Sequence, residues 1–199
     1  MGLKESAKIA VETAMDLKRN EVALIICDEK SRKIGYALFE AARFAKEPIL
    51  IEMEERESNG EEPPELVANA LLHCDVALIP TTKSLSHTKA RMAASCDGAR
   101  IATLPGITEN MMERTLNVDY KEMESLSKKL ARKLTITEKV KIQTERGTDL
   151  TFSIKGREGH PDTGICHSPG DFSNLPAGEA YIAPLEGTAS GRLIIDGSL

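Results

Sequence analysis

Apolar residues follow two patterns in the first two thirds of the chain. Helical spacing of apolar positions predicts helices over 3–18, 32–46, 65–73, from Ser86 to Gly98, and over 120–134. Between them, continuous apolar runs predict strands at 22–26, 48–53, 75–80 and 100–104. Such runs are typical of strands that are buried on both faces of a parallel sheet. Because strands and helices alternate, the pattern predicts right-handed βαβ crossovers and an open parallel α/β sheet covered by helices.

The spacing of apolar positions changes near residue 135 from helical to alternating. Apolar and polar residues alternate over 139–143 and again over 150–155, on either side of a turn at 145–147. This alternation predicts a β-hairpin with one solvated face. We therefore expect two domains: a Rossmann-like α/β domain over 1–134, and the beginning of a β-rich (α+β) domain over 135–199.

A last strand is predicted close to the end of the sequence. Residues 191–196 are Gly-Arg-Leu-Ile-Ile-Asp, and the sequence ends three residues later. A β-rich domain of about 65 residues with exposed edges is marginal by itself. We expect that this domain either pairs with another chain or is the truncated front part of something longer.

Composition and charge narrow the class of protein. The 199 residues are 41% hydrophobic and 29% charged, with a net charge of -5, which is ordinary for a globular protein. No cluster of Lys and Arg is interleaved with aromatic residues, so the sequence argues against nucleic-acid binding. No segment has the apolar length of a signal peptide or a membrane span, so we expect a cytoplasmic protein without membrane contact.

The cysteines are dispersed along the sequence, at positions 27, 74, 96 and 166. They form no CxxC pair, which argues against a zinc ribbon and against a redox motif. Three of them adjoin apolar segments, so we interpret the cysteines as small buried side chains in a reducing compartment.

One candidate site lies at the carboxyl ends of the predicted parallel strands, where open α/β sheets bind ligands. Segments 27–30, 81–87 and 105–108 follow these strands. The sequence contains neither GxGxxG after the first strand nor GxxxxGKS. It therefore offers no motif for binding a dinucleotide or for a P-loop nucleotide site. The alternative is that Ser86 and Thr108 cap helices while Lys83 and His87 are solvated.

A second candidate is the segment 156–170, which contains several side chains that can bind a metal ion. His160, Asp162, Cys166 and His167 lie within eight residues. Their spacing matches no standard zinc motif, and the surrounding glycines and prolines indicate an irregular loop. A structural role is therefore the alternative.

The third candidate is Glu179, which opens a short apolar strand over 180–183. An acid at the start of a strand is usually exposed. If its apolar neighbours bury it in part, it needs a cation or hydrogen-bond donors, and a divalent metal ion would supply the charge. The residues alone leave both interpretations open.

Four segments resemble the aminopeptidase T/S family of metallo-aminopeptidases, thermophilic-type enzymes often called leucyl aminopeptidases. They are TTKSLSHTKAR (81–91), GARIATLPGIT (98–108), DTG (162–164) and NLPAGEAYIAPLEG (174–187), and the likeness extends over essentially the whole chain. The resemblance implies a homodimer that removes N-terminal residues from peptides. It also implies a β-rich domain with two divalent metal ions (Zn, Co, Mg or Mn), which polarise the scissile carbonyl and activate a water.

The same resemblance makes Glu179 a metal ligand and His160, His167 and Asp162 candidates for the rim of the site; no catalytic residue and no organic cofactor is assigned. The sequence departs from the family at Gly178, where the enzymes often carry a second acid. The other ligands of the family, a glutamate, two histidines and an aspartate, lie downstream of the strand matched by 193–196. Because one glutamate cannot hold a catalytic metal, we expect the 199-residue chain to be inactive alone.

Two alternatives to the aminopeptidase remain. One is a non-haem iron dioxygenase of the same superfamily, which opens a hydroxylated pyridine ring and whose iron ligands also lie in the missing part. The other is a non-catalytic α/β module that serves dimerisation or ligand binding.

Overall fold

The computed structural model of the chain describes residues 2–197, which form two compact units. The first unit comprises Met1–Tyr120 and Gly164–Ala177, and the second comprises Lys121–Thr163 and Gly178–Leu199. These units differ from the predicted ranges 1–134 and 135–199. The difference has two parts: residues 121–134 of the following helix belong to the second unit, and the segment 164–177 contributes a strand to the sheet of the first unit.

The first unit is built on a parallel sheet of five strands, which confirms the predicted α/β class. The strand order is β2-β1-β3-β4-β8. The strands are β1 (Val22–Cys27), β2 (Glu47–Glu52), β3 (Val76–Ile79), β4 (Arg100–Thr103) and β8 (Phe172–Asn174). Strands β3 and β4 are buried along their whole length, although β4 contains Arg100 and Thr103, whereas β2 at one edge is partly exposed.

Helices connect these strands. They are α1 (Leu3–Lys8), which continues as a π-helical segment (Ile9–Ala14), α2 (Arg32–Ala41), α3 (Glu65–Leu71), α4 (Lys89–Cys96) and α5 (Glu109–Thr115). The predicted helix over 3–18 is too long, because the helical segment ends at Ala14 and Asp16 adopts a φ of 47°. Gly98 follows α4 with a φ of 110°, a conformation that favours glycine.

The core of the first unit lies between the sheet and the helices on its faces. Leu24, Ile26, Ile79 and Ile101 point inward from the central strands and are at most 1% exposed. Leu71 of α3 packs against the same cluster. Burying each of these side chains contributes roughly 1.5–3 kcal/mol to the free energy of unfolding.

Helix α6 (Tyr120–Thr135) belongs to the second unit from Lys121 onward. The same unit contains two small antiparallel sheets. The predicted hairpin is present as β5 (Lys139–Gln143) and β6 (Asp149–Ser153), and β10 (Ser190–Arg192) pairs with β6. The predicted strand over 191–196 is shorter than expected. A separate two-stranded ribbon consists of β7 (His160–Asp162) and β9 (Glu179–Tyr181).

Every helix within residues 2–197 is too short or too polar to span a lipid bilayer.

Candidate functional site

The carboxyl edge of the parallel sheet is organised by the side chain of Asp28, which is 1% exposed. Its Oδ1 accepts hydrogen bonds from the backbone N–H and the hydroxyl of Ser31, at 3.1 and 2.9 Å. The backbone N–H and the hydroxyl of Thr82 donate to the same carboxylate. One acid therefore joins the loop after β1 to the loop after β3, which gives these polar residues a structural role.

A cavity of about 320 Å³ opens next to these loops, lined in part by Lys30, Lys33 and Thr82. It lies where the connections from β1 and β3 diverge, the usual place for ligands in open α/β sheets. However, Lys30 forms an ion pair with Glu55 at 2.6 Å, and Lys33 forms one with Glu109 at 2.5 Å. The positive charges at the rim of the cavity are thus locally compensated.

The hydroxyl residues near this edge have identifiable structural roles. Thr108 caps α5, as predicted, because its Oγ1 accepts a hydrogen bond from a backbone N–H of the first turn. Ser86 does not cap α4, because Thr88 occupies that position. Instead, the Ser86 hydroxyl lies 2.8 Å from Thr103 Oγ1 and donates to Asn174 Oδ1 at 3.0 Å. This network fastens the end of β8 to the sheet.

Three of the predicted site residues lie on one face of the ribbon formed by β7 and β9. The register pairs Asp162 with Glu179 and His160 with Tyr181. Because alternate residues of a strand point to the same side, these side chains share one face of the ribbon. The ring centroids of His160 and Tyr181 are 5.6 Å apart, so the two rings are in contact. Tyr181 was not predicted as a site residue, and only the strand register reveals it.

Helix α6 fixes β7 at the residue that precedes His160. Gly159 lies so close to α6 that a Cβ atom at this position would stand 2.5 Å from the carbonyl oxygen of Ala131. The Gly159 N–H donates to Thr135 Oγ1 at 3.0 Å, and this hydroxyl donates in turn to Ala131 O at 2.9 Å. A glycine is therefore required for this close approach between strand and helix.

Helix α6 also fixes β9, at Gly178. This residue has a φ of 123°, and a Cβ atom would stand 2.7 Å from the sulfur of Met123. The Gly178 N–H donates to the Asp162 carbonyl at 3.1 Å, which holds the two strands together. An acid at position 178 is disfavoured, because it would have to adopt this φ and displace the Met123 side chain. The second carboxylate next to Glu179 comes from Asp162 on the neighbouring strand.

The other two metal-binding side chains of segment 156–170 belong to the first unit. His167 Nε2 lies 2.9 Å from the carbonyl oxygen of Thr13. Cys166 is buried, and its N–H donates to Ala14 O at 2.8 Å. The structure thus gives both residues contacts with the π-helical segment, while the rim role predicted for His167 stays a prediction.

Glu179 is exposed, so the argument that burial makes it need a cation is wrong. The strand register gives a separate argument for a cation near Glu179. Asp162 lies directly opposite, and opposed like charges are stabilised by a cation or by hydrogen-bond donors. Carboxylate and imidazole are suitable iron ligands. Nevertheless, within residues 2–197 no three His, Cys, Asp or Glu side chains form a cluster that could hold a metal ion. The described residues therefore do not fit a complete metal centre.

The family model NicX, described as 2,5-dihydroxypyridine 5,6-dioxygenase, matches residues 3–198. No curated protein matches the sequence significantly.

Two solved structures share the fold of the chain. The structure of 2,5-dihydroxypyridine dioxygenase from Pseudomonas putida KT2440 has a TM-score of 0.73 and 16% sequence identity, over 95% of this chain. Wild-type AmpT from Thermus thermophilus has a TM-score of 0.60 and 12% identity, also over 95% of this chain. The chain spans 57% of the first structure and 63% of the second.

Proposed function

The chain belongs to the 2,5-dihydroxypyridine 5,6-dioxygenase family, and on this premise we propose that it takes part in the oxygen-dependent cleavage of a dihydroxylated pyridine ring. The family match over residues 3–198 is the observation that carries the proposal. The ribbon face with Asp162 and Glu179 supports it, because this face offers two carboxylates at opposed positions.

The prediction of a metallo-aminopeptidase is wrong. The family match is to a ring-cleaving dioxygenase and not to a peptidase or another hydrolase. The likeness to AmpT amounts to a shared fold at 12% identity, with a lower TM-score than that of the dioxygenase structure.

The proposed reaction follows from the chemistry of cleavage between C5 and C6. The C5–C6 bond breaks and both atoms of dioxygen enter the product. C5, which already carries a hydroxyl, becomes a carboxylic acid, and C6 becomes a formyl group on the ring nitrogen. The ring supplies the electrons that reduce dioxygen, so the equation balances without another reductant. A ferrous ion, when bound, would supply the activation of dioxygen that non-haem iron sites provide.

We propose that Glu179 contributes a carboxylate to this ion, with Asp162 beside it. A catalytic centre of this kind usually has about three protein ligands and an open position. Within residues 2–197 no three potential ligands form a cluster, so the proposal is limited to the Glu179 carboxylate and its neighbour Asp162.

The test is oxygen uptake by the protein purified from its own cells, in its native assembly, with ferrous iron and 2,5-dihydroxypyridine. We expect one dioxygen to be consumed per ring opened. Oxygen-independent loss of the ring, or no loss at all, would contradict the proposal.

A matched pair of variants tests the role of Glu179 in the same assay. Glu179→Gln keeps the size of the side chain but removes its charge, and we expect at least 100-fold lower turnover with less bound iron. Glu145→Gln removes an exposed carboxylate from the turn between β5 and β6 of the same unit, and it should leave both quantities unchanged. Equal effects of the two substitutions would exclude Glu179 as a ligand.

A further inference from the structure

We propose that Arg91 and Asn174 form a binding site for a small carboxylate anion beside the end of β8. The anion accepts hydrogen bonds from the outer nitrogens of the Arg91 guanidinium and from the side-chain N–H groups of Asn174. Both residues belong to the first unit, and the proposed function uses neither of them.

The segment that contains Arg91 carries positive charge and no acid. Residues 76–96 contain no Asp or Glu, although the whole sequence has 31 of them, and they include Lys83, Lys89 and Arg91. None of these three cations takes part in an ion pair within residues 2–197. Because the chain as a whole is acidic, this local excess of positive charge favours an anionic ligand.

Arg91 is the cation whose side chain the fold holds in one orientation. Its Nε donates to the carbonyl oxygen of Ser86 at 2.7 Å, and its guanidinium lies 4.0 Å from the centre of the Phe172 ring. The described part of the chain supplies no hydrogen-bond partner for Nη1 and Nη2. These two nitrogens form the planar fork that binds the two oxygens of a carboxylate.

The guanidinium is partly desolvated and has no carboxylate beside it. Burial lowers the pKa of Arg91, and the opposing contribution comes from Cys96 and not from an acid. The Glu62 carboxylate accepts the N–H groups of Lys89 and Ala90, at 2.6 and 3.1 Å. It makes no ion pair with Arg91. A partly buried cation without a counter-ion is stabilised when it binds an anion.

Asn174 supplies further donors and is fixed by the same residue as Arg91. Its Oδ1 accepts hydrogen bonds from the hydroxyls of Thr103 and Ser86, at 2.6 and 3.0 Å. Asn174 is exposed, and residues 2–197 offer no acceptor for the two N–H groups of its Nδ2. Ser86 thus holds Arg91 through its carbonyl and Asn174 through its hydroxyl, which keeps the two donor groups close together.

The charge and the rigidity of these groups favour a carboxylate over other anions. One guanidinium and one neutral amide supply a single positive charge, which matches the single charge of a carboxylate. Phosphate carries a charge of about -1.5 to -2 at neutral pH and would leave an excess of negative charge. Because internal hydrogen bonds fix both donor groups beforehand, binding loses little conformational entropy.

The experiment is an NMR titration of the nitrogen-15-labelled 199-residue chain with sodium acetate, in which sodium chloride keeps the ionic strength constant. The hydrogen bond to Ser86 slows exchange of the Arg91 Nε–H with water and makes its signal observable. We expect this signal and the Asn174 side-chain amide signals to shift saturably. Acetamide, which has the same shape but no charge, should bind at least tenfold more weakly.

Three variants test the assignment of the site. Arg91→Lys keeps the charge but loses the fork, and it should weaken acetate binding about tenfold. Asn174→Asp keeps an oxygen for the two hydroxyls but replaces the donors by a negative charge, and it should abolish saturable binding. Arg19→Lys is the control, because Arg19 also lies over a phenylalanine ring, that of Phe44, and should leave acetate binding unchanged.

Three results would overturn the proposal. The first is an Arg91 signal that acetate does not shift saturably, or that sodium chloride alone shifts equally. The second is an equal loss of binding in Arg91→Lys and Arg19→Lys. The third is tighter binding of inorganic phosphate than of acetate, which would exclude a carboxylate as the preferred anion.

Discussion

Replacement of Gly159 by alanine tests whether close contact with α6 holds the ribbon in place. The added Cβ would stand 2.5 Å from Ala131 O and 2.9 Å from the Leu134 Cβ. The first distance is about 0.8 Å shorter than an ordinary carbon–oxygen contact. Neither neighbouring atom is the end of a flexible side chain, so strand and helix must separate and the hydrogen bond to Thr135 weakens. Overpacking and the lost bond together predict a destabilisation of about 2–4 kcal/mol.

Hydrogen exchange measures this effect within the second unit. A loss of about 2–4 kcal/mol lowers the protection of the slowest amides in α6 roughly 30- to 700-fold. The control is Gly156→Ala, where φ is 75° and no atom lies within 4 Å of the added Cβ, so only backbone strain of about 1–2 kcal/mol applies. If Gly159→Ala lowers protection no more than Gly156→Ala, the steric argument is refuted.

Three further predictions concern the first unit. Glu21→Gln should destabilise it by about 1.5–3 kcal/mol in urea unfolding at neutral pH, because the buried Arg100 then loses its charged, partly buried partner. Burial opposes ionisation of Glu21, but the hydrogen bonds from Arg100 and from the Lys18 N–H, together with the charges of both residues, keep its pKa low. The wild type alone should therefore lose this stability as the pH falls through that lowered pKa. Asn174→Ala removes an acceptor shared by two hydroxyls and should cost about 1–2 kcal/mol. Thiol labelling of the native protein should modify the exposed Cys96 first, while Cys27 stays unlabelled because burial raises the pKa of its thiol to about 11.

The parallel sheet was predictable because its central strands are continuous apolar runs bounded by helices. Strand β8 was missed for a physical reason: Phe172–Asn174 is a three-residue edge strand next to a glycine-containing loop. Its partner β4 lies about 70 residues earlier in the chain, and local spacing carries no information on such a pairing. The units of the structure divide after Tyr120 and not at residue 134, because α6 belongs to the second unit, while the pairing of β8 places the segment 164–177 in the first unit.

The ribbon face was predictable only in its residue types. The residue types of Asp162, His160 and Glu179 predict possible metal ligands. That the three side chains lie on one face follows only from the register between two strands of three residues each. The same register places Tyr181 on this face, which the sequence alone does not indicate. Gly159 did leave a signal in the sequence, because a glycine just before a strand often marks a close approach of backbone to backbone.

The most direct test of the account is the fate of isotopically labelled dioxygen in the native assembly. With 2,5-dihydroxypyridine and ferrous iron, we predict that mass spectrometry finds both labelled oxygen atoms in a single ring-opened product, and that Glu179→Gln abolishes its formation. A ring-opened product without label, or full activity of the Glu179→Gln variant, would contradict the account.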